Sequence, residues 1–168
     1  LGFGRALAAV LLGLVAIRYF WLNQPVALVQ SINLVFHEAG HVIFSPFGRV
    51  IGVAGGSGFE AGLPLALTLL AIRDRHWTAT GGCLVWLATA LHSISVYAGD
   101  AQARRLPLLG GEAVVHDWWF LLRHFDLLDR DGEIARMIWT AGLGVAILGC
   151  LALAGGVVIG IRPAADPH

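Results

Sequence analysis

The sequence has no lysine and little charge of either sign. Charged residues make up 13% of the chain, about half the share usual in a soluble domain, so most of its surface is not built for water. The basic residues are all arginine, 11 of them against 11 acidic residues. With no net charge and no basic run, nothing recommends a nucleic-acid partner. Only two cysteines are present, Cys83 and Cys150, each in an apolar stretch; they read as small buried side chains rather than a disulfide or a metal pair. Asp129-Arg130-Asp131-Gly132 reads as a turn, and Asp131-Gly132-Glu133 lacks the alternating acidic ligands of a calcium loop. No internal repeat is visible. The absence of lysine beside 22 glycines fits a GC-rich bacterial genome.

Apolar residues are what remains. They make up 57% of the 168 residues, and the mean hydropathy is +0.75. This composition implies an all-α integral membrane protein, one polytopic domain over residues 1–168 in contact with membrane lipid. The expected spans are about five: Leu7 to Trp21, Pro25 to Pro46, the short Phe59 to Ile72, Thr80 to Ala98, and Ile134 to Ile161. The chain begins at Leu1 rather than Met, which points to a missing or processed start. No small-residue cleavage site follows residues 6–17, so that run reads as a retained first span. Between the second and third segments lies Arg49 to Gly58, rich in glycine and β-branched residues. It reads as a short extended or re-entrant segment, whose edge can hold an extended peptide. Phe120 to Leu128 reads as an amphipathic helix at the membrane surface.

The second span carries the chemistry, Phe36-His37-Glu38-Ala39-Gly40-His41-Val42. Residues four apart on a helix share a face, so His37 and His41 can grip one metal ion. Glu38, beside the first ligand, is placed to activate water as a general base. Ionisable groups in an apolar segment are costly and mark function by default. Imidazole ligands and a carboxylate suit Zn2+. Asn33, one turn before His37, reads as a hydrogen-bonding link between helices.

A catalytic zinc needs a third protein ligand and an open position. Asp100, at the end of the fourth span, is the first choice; Asp117 and His116 are the alternatives. Asp117 can equally be the N-cap of the surface helix, and a carboxylate that is not a ligand can orient a histidine instead. If all five segments cross, Arg5, Arg49 and the five arginines between Arg104 and Arg136 share one side, against Arg18, Arg73, Arg75 and Arg162. The positive-inside rule then makes the first side cytoplasmic. His41, Asp100, His116 and Asp117 meet on that side only if residues 59–73 cross.

His-Glu-Ala-Gly-His in a membrane span, followed by a glycine-rich segment, resembles the site-2 protease family of intramembrane zinc metalloproteases. In that family the third ligand is an Asp of a later span, within Asn-x-x-Pro-x-x-x-x-Asp-Gly. The comparable stretch here is His92 to Ala101; Asp100 is present, while the Asn, the Pro and the following Gly are absent. Leu106-Pro107-Leu108-Leu109-Gly110-Gly111 echoes the proline-containing part without its Asp. The resemblance covers about residues 26–120, the metal-site core, and leaves the C-terminal span at about 134–161 outside it. It implies a zinc metalloendopeptidase of a bacterial inner membrane, acting on a transmembrane protein or peptide from the cytoplasmic side. The alternative is a membrane scaffold or sensor that keeps the zinc site without hydrolysis.

Overall fold

The computed structural model describes residues 2–107 and 115–161. These form six α-helices and no strand: α1 (Gly2–Phe20), α2 (Ala27–Phe44), α3 (Arg49–Arg73), α4 (Trp77–Gly99), α5 (Asp117–His124) and α6 (Asp131–Ile161). Short 3₁₀ turns at Ser45–Phe47 and Leu128–Arg130 lead into α3 and α6. Four helices, α1, α3, α4 and α6, are long and apolar enough to cross a membrane. α2 has 18 residues, the length of a span, but its polar face sets it apart from those four in composition. The tail from Arg162 and the Leu108 to Gly111 part of the proline-containing stretch lie outside the described residues.

α4 is the centre of the bundle. Of its spanning window 56% is buried, against 28% for α3 and α6 and 11% for α1. Its contact with α6 and α1 is apolar, built on Ala16, Val85, Ala88, Ala146 and Leu153. Gly81 and Gly149 let α4 and α6 approach closely, because a side chain on either would strike the opposing helix. α2 meets α4 through the Phe36–Trp86 and His37–Tyr97 ring contacts and through one polar link. The buried Asn33 accepts from Trp86 Nε1 at 2.9 Å and donates to Thr89 Oγ1 at 3.4 Å, so it links helices as expected.

The largest departure from expectation is at Arg49 to Gly58. This stretch is neither extended nor re-entrant but the first part of α3, which runs unbroken for 25 residues to Arg73. The supposed short segment after it is the second part of the same helix. Two physical facts explain the difference. In a bilayer an unpaired strand edge leaves N–H and C=O groups unsatisfied, whereas a helix satisfies its own. Glycine is also favoured where two helix backbones touch. Gly52, Gly55 and Gly56 are buried, and Gly55 lies so close to Gly40 of α2 that neither has room for a methyl group. Pro64 also sits inside α3; its carbonyl accepts the Thr68 hydroxyl at 2.8 Å.

Candidate metal centre

The α2–α3 contact sets the site. Residues 52, 56, 60, 64 and 68 of α3 recur at intervals of four and are all buried. Gly56 leaves space for the two imidazoles of α2, Gly52 lets the chain at Ser45 approach, and Glu60 reaches His37 from the same face of α3. His37, 6% exposed, donates from Nδ1 to Glu60 Oε2 at 3.0 Å, with Glu60 itself only 4% exposed. His41 donates from Nδ1 to the Gly52 carbonyl at 2.9 Å. Each ring therefore carries its proton on Nδ1 and turns Nε2 toward the same point.

At that point stands Asp117, the first residue of α5. Its Oδ2 is 2.9 Å from His37 Nε2 and 3.1 Å from His41 Nε2. The three ligand atoms all lie within 4.8 Å of one another. With Nδ1 protonated, a neutral ring presents a lone pair at Nε2, and two lone pairs facing one carboxylate oxygen repel. A shared proton or a metal ion between them removes that repulsion. Two added protons would make two imidazolium rings with centroids only 4.9 Å apart, which repel in turn. One metal ion serves all three donors, so these residues fit a metal, and two imidazoles with one carboxylate are a common zinc set. Glu60 and the Gly52 carbonyl then act as the outer partners that fix tautomer and ring orientation.

α5 brings Asp117 in from outside the long helices. Trp118 Nε1 donates to Ser57 Oγ of α3 at 3.2 Å, and the Arg49 guanidinium lies 4.7 Å from the Phe120 ring centre. The Asp117 N–H donates to the Tyr97 hydroxyl of α4 at 3.1 Å.

The other expected donors fall elsewhere. Asp100 is within reach of neither imidazole of α2; it caps the turn after α4, accepting from the N–H groups of Arg105 at 3.0 Å and Leu106 at 2.9 Å. His116, not Asp117, caps α5: its Nδ1 accepts from the Trp119 N–H at 3.2 Å. That leaves the proton on Nε2, which is buried without a hydrogen bond and 3.5 Å from Asp100 Oδ2. Burial pushes the His116 imidazole below its ordinary pKa, against the opposing pull of Asp100 and Asp117. Asp100, His116 and Asp117 do share the end of the bundle where His41 lies, but they form two adjoining groups rather than one. Glu60 and the Gly52 carbonyl have no counterpart in the sequence reading. An acid in an apolar helix was the available signal for Glu60.

Beside the three donors opens a cavity of about 850 Å³, lined by Glu38, His37, His41, Tyr97 and Asp117 among others. It continues along α2 to Asn23 and Pro25, between α2 and α4. The exposed Glu38 carboxylate belongs to this cavity and not to the donor set. Comparison of the chain with family models, with curated proteins and with solved structures gives no match. What the chain presents is a polar cluster that could hold a metal ion, at one end of an apolar helical bundle.

Proposed function

We propose that this protein is an intramembrane zinc metallopeptidase of the site-2 protease type, in which α2 crosses the membrane as a fifth span. The observation that carries the proposal is the convergence of His37 Nε2, His41 Nε2 and Asp117 Oδ2, with both Nδ1 atoms anchored. His37, His41 and Asp117 would hold the metal, which when bound supplies Lewis-acid polarisation of a carbonyl and a lowered pKa for water. Glu38 takes a proton from the attacking water and returns it to the leaving amine nitrogen as the C–N bond breaks. The cavity between α2 and α4 admits a membrane-embedded chain from the side and keeps bulk water away from the reacting bond. With the arginines of the α4–α6 connection on the cytoplasmic side, the site lies near that face of a bacterial inner membrane.

The test is Glu38→Gln. Purified in detergent, the variant should bind one zinc per chain, as the wild type does, and lose cleavage of a fluorescence-quenched transmembrane peptide. Cleavage that survives would remove Glu38 from the reaction. A scaffold or sensor would use the same three donors, and it is the reading left if wild-type protein binds zinc but hydrolyses nothing. The exposure of Glu38 in the cavity favours the peptidase, since a scaffold has no use for a free acid there.

A further inference from the structure

We infer that Tyr97 is a catalytic hydrogen-bond donor to the carbonyl oxygen of the bond being cut; the inference rests on the peptidase reading. Acyl transfer builds negative charge on that oxygen, and a donor fixed in advance is commonly the largest single source of stabilisation. The Tyr97 hydroxyl is anchored at the Asp117 main chain and lies beside the Asp117 carboxylate. Its oxygen accepts the Asp117 N–H at 3.1 Å, so its own O–H bond has to point away from that amide. The ring is half-buried, lines the cavity and stands 5.7 Å, centre to centre, from the His37 imidazole. A hydroxyl anchored on the backbone of one donor residue and beside the ring of another stands where a substrate carbonyl must come.

Gln30 and Ser93 also line the cavity, and the remaining groups that could donate are held by other partners. Asn33 is held by Trp86 and Thr89. Ser31 donates to the Ala27 carbonyl. His92 is enclosed by the edges of Tyr19 and Phe20. Both metal-site imidazoles spend their Nδ1 protons on Glu60 and Gly52. Tyr97 is the neutral donor that adjoins the proposed ligands.

The step balances as follows. The water oxygen bonds to the carbonyl carbon while Glu38 receives the water proton. The carbonyl π pair moves to oxygen, where the Tyr97 O–H hydrogen bond shortens without transferring its proton. That pair then re-forms the carbonyl as the C–N bond breaks, and Glu38 delivers its proton to nitrogen. Tyr97 ends unchanged, so no further reactant is required.

The experiment is Tyr97→Phe, with zinc affinity by competition and steady-state cleavage of the quenched transmembrane peptide measured on one preparation. The expected result is zinc affinity within about 3-fold of wild type, KM little changed, and kcat lower by about 10² to 10³, the usual loss of one such donor. If zinc affinity falls together with activity, Tyr97 serves to seat Asp117 and the inference is overturned. If kcat is unchanged while zinc is bound, it is overturned as well. A wild-type protein that cleaves nothing overturns the peptidase reading first and this one with it. A wild type and variant that cleave equally overturn this one alone. Should Tyr97→Phe fail to fold, Tyr97→His, which can keep an N–H donor, should retain more kcat than Tyr97→Leu; equal loss in both would refute the donor role.

Discussion

Gly81 on α4 and Gly56 on α3 both face a neighbouring helix, and what stands opposite them differs. A methyl group at Gly81 would lie 2.6 Å from Leu153 Cγ and 2.7 Å from the Leu153 backbone nitrogen. At Gly56 it would lie 2.6 Å from His41 Cε1 and 2.7 Å from His37 Nε2. The first glycine lets two apolar helices touch, and the contact is made for its own sake. The second keeps a space that two ligand side chains must enter. The α4–α6 side is thus a scaffold held by close packing, and the α2–α3 side a mould around a polar cluster. The same residue type, at similar helix contacts, admits a neighbouring helix in one place and two imidazole rings in the other.

The widest separation between the two sides should come from alanine at each glycine. Gly56→Ala should take zinc from one per chain to nearly none, measured by metal analysis after gel filtration. The protein should still be folded, because the atoms it meets are the ends of side chains that can turn away. Next in size is the contrast between two acids. Asp117→Ala should weaken zinc binding by more than about 100-fold, beyond the range of outer partners, whereas Asp100→Ala should change it by less than about 10-fold. Equal losses in the two would collapse the distinction between ligand and cap. Glu60→Gln keeps the shape but removes the charge facing His37 Nδ1. It should lower zinc affinity by about 10- to 100-fold, read by competition with a chromophoric chelator. Smallest is Gly81→Ala, which should cost about 1–3 kcal/mol by overpacking. It should lower the thermal midpoint while leaving zinc stoichiometry at the wild-type value. A loss of zinc there, with normal stability, would erase the line between scaffold and mould.

Much of this arrangement is written in local pattern. His37, Glu38 and His41 stand out because ionisable groups at helical spacing interrupt an apolar run, and the all-helical character follows from composition. The acid that completes the cluster is different. Asp100 and Asp117 are both plausible by type and by side of the bundle. The choice between them depends on how the chain leaves α4, where Asp100 turns its carboxylate onto Arg105 and Leu106. It depends equally on how α5 starts, where His116 takes the capping position and frees Asp117. Neither is a matter of spacing. Arg49 to Gly58 misleads for another reason: glycine and β-branched residues weaken helices in water, but between membrane helices they permit close contact. The repeat Gly52, Gly56, Glu60, Pro64, Thr68 at intervals of four was the legible sign of a helix face.

The two imidazoles stand on α2 and the carboxylate that faces them on α5, with α3 and α4 between them in the chain. Synthesis runs in that order. His37 and His41, and the Gly52 and Gly56 of α3 that lie against α2, all precede Asp117 in the chain. A chain that stops short of α5 lacks the carboxylate of the three-donor group. The carboxylate that completes the group is thus supplied by a later helix than the two imidazoles it joins.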